Sequence, residues 1–317
     1  MRKVSLKHLI LGILLASILA STQLASARIY RVPRDFTTIQ EAIDDPLVRD
    51  GDTIKVGPGN YAGALVTKAV RIRGTHNTVI DSGPLPWSSR PFMAGFLFND
   101  PNTGAGSGAK ISHLRFEYVE FPVFSRGADH VTVSHCRMDN PIQGISNWHG
   151  SRWIITHNRI TDLSAINGGG IGILIGANNG GVVTCNLVSH NKINGILYVD
   201  PDDGGGYNGT GIVLYADFRR GRPGAAKIAF NYVIWNRISL ISDTPDVVDV
   251  SAIELTDTRD DPSLYTDPDL DPVICNNVIG FNNLRGTELQ IVLTPENLAD
   301  YNYIFRNLGG NRCRLYY

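Results

Sequence analysis

The sequence predicts an all-β, single-domain right-handed parallel β-helix, on three observations. A short phrase of alternating apolar and polar residues recurs, first at a fixed period of 22 residues. No stretch within the repeats sustains a helical period. Glycine is plentiful, with 33 in 317 residues, as the many corners of a coiled strand require.

The phrase reads Ile111-Ser-His-Leu114-Arg-Phe116, Val133-Ser-His-Cys136-Arg-Met138, Ile155-Thr-His-Asn158-Arg-Ile160 and Val183-Thr-Cys-Asn186-Leu-Val188. Anchored on its fourth residue, the first three copies lie 22 residues apart and the fourth 28 further on. Periods of about 20 to 50 residues mark repeat architectures. Each unit is strand-length and rich in Val and Ile, and cannot bury its inward face alone. Copies must therefore stack at the ~4.8 Å spacing of neighbouring strands. Further copies at Ile228-Ala-Phe-Asn231-Tyr-Val233, Val273-Ile-Cys-Asn276-Asn-Val278 and Ile304-Phe-Arg-Asn307-Leu follow longer insertions. Asn at 158, 186, 231, 276 and 307 is then expected to form a structural ladder at one corner.

Met1 to Ala27 carries the features of a signal peptide: basic Arg2, Lys3 and Lys7, an apolar run from Leu9 to Ala20, and the small-residue exit Ala25-Ser-Ala27. The apolar run is short for a bilayer span, so cleavage after Ala27 and a secreted or periplasmic location are expected. Residues 28–317 are expected as one domain, with an N-terminal cap and first strand over 28–62 and a C-terminal cap over 294–317. A solenoid grows in one direction and need not split at this length. Charge is nearly balanced, with 29 Lys and Arg against 30 Asp and Glu, which gives no global basic footprint for nucleic acid.

In the cap, Thr38-Ile-Gln-Glu41 is a capping box, and Ile39, Ala42 and Ile43 form one apolar face of a short helix. Such a helix covers the open end of the core and its first unpaired edge. The strand Thr53-Ile-Lys-Val56 and the turn Gly57-Pro-Gly-Asn60 follow, with Val70-Arg-Ile72 and Val79-Ile80 in the first full turn. At the other end, Thr294-Pro-Glu-Asn297 is expected to start a short helix.

Of the four cysteines, Cys185 and Cys275 share a slot in the phrase two strand spacings apart, beyond disulfide reach. Cys136 fills the asparagine slot and is expected to point inward, while the pairing of Cys313 stays open. His113, His135 and His157 should stack at the repeat period as a structural column, with Cys185, Phe230 and Cys275 in the same slot.

The opening Asp35-Phe-Thr-Thr-Ile-Gln-Glu-Ala-Ile43, with Gly51-Asp-Thr-Ile-Lys-Val56 and Gly57-Pro-Gly-Asn-Tyr61, resembles that of pectin methylesterases. With the repeats, the resemblance to the pectin-lyase-like superfamily covers nearly the whole chain after Ala27. It implies the fold; activity must be argued from the site. Asp217-Phe-Arg-Arg-Gly221 shares only its first two residues and its last with the esterase strand Asp-Phe-Ile-Phe-Gly, and no Gln-Asp-Thr occurs. Val131-Thr-Val-Ser-His-Cys136 is similar to a pectate lyase strand, but places Ser134 where that family has an acidic residue near its calcium site. The paired Asp202-Asp203 lies in a glycine-rich loop, and the Gly-His-Gly turn of polygalacturonases is missing.

Chemistry is therefore expected in the loops around a third recurring strand, Ile171-Gly-Ile-Leu174, Ile212-Val-Leu214, Ile253-Glu-Leu255 and Ile291-Val-Leu293. Two acidic loops, Asp200 to Asp203 and Asp243 to Asp249, enter consecutive turns and should neighbour each other. Hydrolysing a glycosidic bond takes two carboxyl groups, for which Asp202, Asp203, Asp246 and Asp249 are candidates. Elimination from a uronic acid takes a base and a cation, for which Asp217 and Arg220 are candidates, with Arg219 and Arg222 on the substrate. Tyr207, Tyr215 and Tyr265 are candidates for stacking on sugar rings. Asp257, Asp260, Asp261, Asp267 and Asp269 form a candidate calcium site without EF-hand spacing. The alternative for every one of these aspartates is that it caps a turn and stays hydrated. The expected partner is a polysaccharide, acted on by a lyase or hydrolase or bound without catalysis at a cell surface.

Overall fold

A computed structural model describes residues 27–86, 92–99, 103–166, 168–178, 180–200, 202, 209–217, 226–257, 273–293, 301–309 and 313–315. The segments 1–26 and 294–300, for which a signal peptide and a short helix are expected, lie outside them. So does Asn208 of the Asn208-Gly-Thr210 sequon.

The described residues form 29 strands and one short helix. The strands pair in parallel in sheets of ten, nine, seven and three, each skipping over the others in chain order. This is the right-handed parallel β-helix expected from the repeats. From Thr53 to Trp148 each coil visits the ten-, seven- and nine-stranded sheets in turn. From Val182–Thr184 onward the three-stranded sheet is inserted before the ten-stranded one, giving a fourth side to the cross-section.

That fourth side corrects the alignment of the repeats. Ile155 pairs with Val188, not with Val183, and Ile160 pairs with Ile193. Val183 pairs instead with Ile228 in the new sheet, and Ile228 with Ile274. The copy in register is thus Val188-Ser-His-Asn191-Lys-Ile193, which overlaps the phrase at Val183 by one residue. The same overlap recurs at Val233-Ile-Trp-Asn236-Arg-Ile238. Two corners five residues apart therefore carry the phrase, and the expected single asparagine column is two columns.

The first runs Asn158, Asn191, Asn236, Asn282, Asn307; the second runs Asn186, Asn231, Asn277, Asn302. Asn276 belongs to neither, because the neighbouring Asn277 turns inward. Each amide is used in three directions. The Asn191 Oδ1 accepts from the Asn158 backbone N–H and from its Nδ2, both at 3.0 Å. Its own Nδ2 donates to the Ile155 carbonyl at 2.9 Å and to Asn236 Oδ1 at 3.0 Å. The asparagine is the residue after a one-residue arch in the left-handed region, at φ 57° for His157, 56° for His190 and 56° for Trp235. An arch this tight leaves the next backbone N–H pointing along the axis, where only a side-chain acceptor from the next coil reaches it.

Those arch residues stack outside the corner. His113, His135, His157 and His190 lie ring on ring at 4.9, 5.0 and 4.9 Å, and the column continues through Trp235 and Phe281. The structural stack is as expected, but its later members are not. Cys185 and Phe230 are arches of the second corner, at φ 60° and 58°. Cys275 ends a strand in register with Ala229, one residue before the arch at Asn276, so it does not share the slot of Cys185.

Inside, alternate residues pack a continuous core from Val32 to Leu293. Helix Ile39–Asp44 buries Ile39, Ala42 and Ile43 over its open end. Half of its capping box is formed, the Glu41 N–H donating to Thr38 Oγ1 at 3.0 Å, while the Glu41 carboxylate accepts from the N–H of Thr37, one residue before the cap, at 2.9 Å.

Cys136 occupies an asparagine slot, its N–H donating to Asn158 Oδ1 at 3.0 Å. It is buried, and burial pushes its thiol up to about 12. Cys185 is exposed and free. A thiol reagent at neutral pH is therefore expected to modify Cys185 in the native chain and to spare Cys136 until the chain is unfolded. Peptide mass mapping reads this directly.

Candidate active site on the nine-stranded sheet

Strands of the nine-stranded sheet point one set of side chains inward, Ile145, Ile173, Ile212, Ile253 and Ile291, all buried. The register shifts the expected third strand by two residues at one place: Ile173, not Ile171, lies beside Ile212. Between the inward residues, the outer face carries the row Phe124, Ser146, Leu174, Val213, Glu254, Val292. One carboxyl thus interrupts an otherwise apolar end of the row.

Glu254 is set between two hydroxyls. Thr210 Oγ1 donates to Glu254 Oε2 at 2.8 Å, and Ser251 Oγ lies 3.3 Å from the same oxygen and 3.1 Å from Thr210 Oγ1. Thr210 and Ser251 are cross-strand partners, so the strand register places both hydroxyls beside the carboxyl. Although the residue is only half-buried, its carboxyl is desolvated, and that burial raises its pKa; the two hydroxyls pull it down by less.

A pocket of ≈ 430 Å³ opens here, lined by Thr210, Ser251 and Glu254 and walled by Pro245 to Asp249, with Leu289 and Val292 on the far side. It brings Glu254 together with Asp246 and Asp249, one of the two acidic loops. The loops do neighbour each other: the Val199 N–H, at the mouth of the first, donates to the Asp243 carboxylate of the second at 3.1 Å.

On the other side of Val213 the face is aromatic. Trp148 and Tyr215 belong to coils two apart, and their rings meet edge to face at 5.8 Å. Gly176 lies between them in the register, and a Cβ there would come within 2.9 Å of the Trp148 ring. Both rings also pack against the Ile171, Leu174 and Val213 cluster. Arg126 heads this row, its guanidinium 5.4 Å from the Phe124 ring centre, with burial lowering its pKa. Beside Trp148, His149 Nε2 is 2.9 Å from Asn178 Oδ1, and burial is the main cause that lowers its pKa.

Of the residues expected from sequence, Asp246 lines the pocket with Glu254, and Tyr215 stands on the aromatic part of the same face. Asp217 ends its strand in register with Asn178, one coil from the His149 contact. Asp202 is exposed in a turn that Asp200 caps, the Asp200 carboxylate accepting from the Asp202 N–H at 3.1 Å. Asp257 is buried at the end of its strand opposite Ala216. Asp203, Arg219, Arg220, Arg222, Tyr207, Tyr265, Asp260, Asp261, Asp267 and Asp269 lie outside the described residues. Among the described residues no three His, Cys, Asp or Glu side chains converge as metal ligands, and no helix is long and apolar enough to cross a membrane.

The residues not singled out from sequence are Glu254, Trp148, Arg126, Thr210 and Ser251. For Glu254 the signal was present: aligned on Ile173-Leu-Ile175, Ile212-Val-Leu214 and Ile291-Val-Leu293, the copy Ile253-Glu-Leu255 has a charge where the others have an apolar residue.

The proton linkage of Glu254 has a definite sign. From its ordinary value of 4.5 up to the raised folded value, the folded chain holds a proton that the unfolded chain has released. The group's contribution to stability is full below that window and is lost as pH rises through it. Urea unfolding across the window should show this decline in the native chain and a flatter profile in Glu254→Gln.

No family model matches the chain. Over 83 residues it is 39% identical to a cell surface glycoprotein of Methanothermus fervidus, a match covering 26% of this chain and 14% of that protein. Among solved structures it is similar to an exopolygalacturonase from Thermotoga maritima, with a TM-score of 0.39 and 12% identity over 78% of this chain and 75% of that one. The catalytic domain of a GH87 alpha-1,3-glucanase in complex with tetrasaccharides gives 0.32 and 12%, over 92% and 68%. The pectin methylesterase PemA from Erwinia chrysanthemi gives 0.28 and 11%, over 92% and 93%.

Proposed function

We propose that this chain is an extracellular polysaccharide-acting protein that binds glycan at the part-exposed Trp148 and Tyr215 rings and hydrolyses it at the Glu254 pocket. The observation that carries the reading is the contrast between carboxyls in one pocket. Glu254 is pushed towards its protonated form by burial, whereas Asp246 is exposed to solvent beside it. A carboxyl held towards its protonated form is suited to give a proton away. In glycoside hydrolysis one carboxyl gives its proton to the leaving oxygen, and a second acts as base or nucleophile. Glu254 is the donor and Asp246 its partner in this reading. Thr210 and Ser251 orient the donor, while Trp148 and Tyr215 supply an apolar surface for a sugar ring.

The test is turnover of the chain from Arg28 on pectin, polygalacturonate, alginate, xylan and neutral glucans, following reducing ends and the ultraviolet absorbance of unsaturated products. Reducing ends without that absorbance support hydrolysis. Absorbance would replace it with elimination and shift attention to Asp217 and the arginines at 219, 220 and 222. Silence on every polymer would sink the catalytic reading.

The second reading is binding without catalysis at a cell surface, favoured by the 83-residue likeness to a surface glycoprotein. It predicts glycan retention without product, equal in the native chain and in Glu254→Gln.

A further inference from the structure

A second side of the solenoid carries a charge pattern that the nine-stranded face does not use. In the seven-stranded sheet, Arg115 pairs with Arg137, Arg137 with Arg159, Arg159 with Lys192 and Lys192 with Arg237. The residue after each, Phe116, Met138, Ile160, Ile193 and Ile238, is buried in the core. Strand alternation therefore turns the five cations outward, one directly above the next. Like charges so aligned are unfavourable in themselves. The chain's net charge is −1, so the row is a local concentration and not an overall basic surplus.

Compensation along the row is uneven. Arg115 is paired with Glu117 at 2.7 Å and with Asp139 at 3.2 Å, and Arg159 Nε donates to Thr161 Oγ1 at 3.3 Å. Arg137, Lys192 and Arg237 have no carboxylate partner among the described residues, and Arg137 and Arg237 are exposed. Two residues before each cation stands the arch column, His113, His135, His157, His190 and then Trp235. Its ring separations of 4.9 to 5.3 Å measure the rise from one coil to the next. The result is a band two residues wide, cations on one side and ring edges on the other, straight along the axis for five coils.

We propose that this band is a binding site for an extended anionic polysaccharide, laid parallel to the solenoid axis with its acidic groups over the cation row. One cation per coil places successive positive charges about one sugar unit apart. A uronate or sulfated chain carrying an anion on each sugar, or on alternate sugars, can meet them without bending. A nucleic acid duplex winds its two phosphate strands around its own axis and touches a straight row only in passing. The neighbouring ring edges offer N–H and C–H groups to the hydroxyls of the same chain, so the surface addresses both the charge and the sugar. This site is separate from the Glu254 pocket and does not depend on catalysis there.

The experiment is binding of polygalacturonate to the full chain by calorimetry at several salt concentrations, with a neutral glucan, duplex DNA and anionic phosphatidylserine vesicles as comparison probes. The expected result is polygalacturonate binding that weakens with salt. In Arg137→Gln/Lys192→Gln/Arg237→Gln it should fall at least tenfold and lose most of its salt dependence, while any cleavage at the pocket persists. Circular dichroism and melting establish that this variant is folded. If it is not, Arg137→Gln and Arg237→Gln, both at exposed positions, are taken singly and should each weaken binding. Glu254→Gln should leave polygalacturonate binding at the band unchanged, so loss of the catalytic reading and loss of this one are separate outcomes. Binding unaffected by the substitutions would overturn the proposal. So would DNA or vesicles held through the band in preference to polygalacturonate.

Discussion

Asn191→Leu is expected to destabilise the chain by on the order of 3–5 kcal/mol, close to the largest effect a single substitution produces. The residue is 1% exposed, and its amide is committed at both ends. Without it the Asn158 N–H and Nδ2 lose their acceptor, and the Ile155 carbonyl and Asn236 Oδ1 each lose a donor. A buried polar group left without a partner costs about 1–3 kcal/mol, and leucine supplies no replacement. Asn191→Asp keeps the acceptor but sets a second, charged acceptor against the Ile155 carbonyl and Asn236 Oδ1, so it should cost at least as much. Denaturant unfolding monitored by circular dichroism measures both. A loss for Asn191→Leu no larger than for a surface substitution would show that the ladder is ornamental. Because coils in a solenoid contact only their neighbours, a broadened transition is expected together with the loss.

Glu254→Gln is expected to lower glycan turnover by about 10²–10⁴-fold, the range supplied by a positioned proton donor. Glutamine keeps the shape and still accepts from Thr210 Oγ1, but has no proton to give to a leaving oxygen. Substrate affinity should therefore change little, so that the loss appears in kcat and not in KM. Asp246→Asn should also reduce kcat but keep the linkage between pH and stability, because Glu254 is untouched. If both variants turn over glycan as the native chain does, the proton donor lies elsewhere.

The architecture was legible because the phrase that encodes a coil is a local object. Val133, Cys136 and Met138 read the same in the sequence as in the strands that they form. The asparagine columns were legible in kind and misplaced in register. A phrase that starts with an apolar residue and ends with one can share it, as Val188 does, and two overlapping copies then read as one copy with an irregular gap. Asn276 and Asn277 show the same difficulty, since adjacent asparagines satisfy the pattern equally and only the arch decides which turns inward.

The candidate site was legible as a region and not as a group. Reading loops around the third strand reached Asp246, which lines the pocket, because acidic loops advertise themselves by composition. It passed over Glu254, whose role is environment. Nothing in the three residues Ile253-Glu-Leu255 states that Thr210, 44 positions away, will stand 2.8 Å from the carboxyl. Trp148 and Tyr215 are likewise joined only by the gap at Gly176, which the register supplies.

The asparagine columns also make the molecule mechanically uneven. They begin at Asn158 and Asn186, so each later coil is clamped to its neighbour at two corners by side-chain amides in addition to its sheets. Among the described residues the earlier coils carry no such asparagine column, and lean on large rings such as Phe96, Phe98, Phe116 and Trp153 in their core. Ring packing resists compression, but yields to separation over a short distance, whereas each clamp must be broken bond by bond. Tension applied along the axis would therefore part the coils in the first half, and leave the clamped half as a stiff rod.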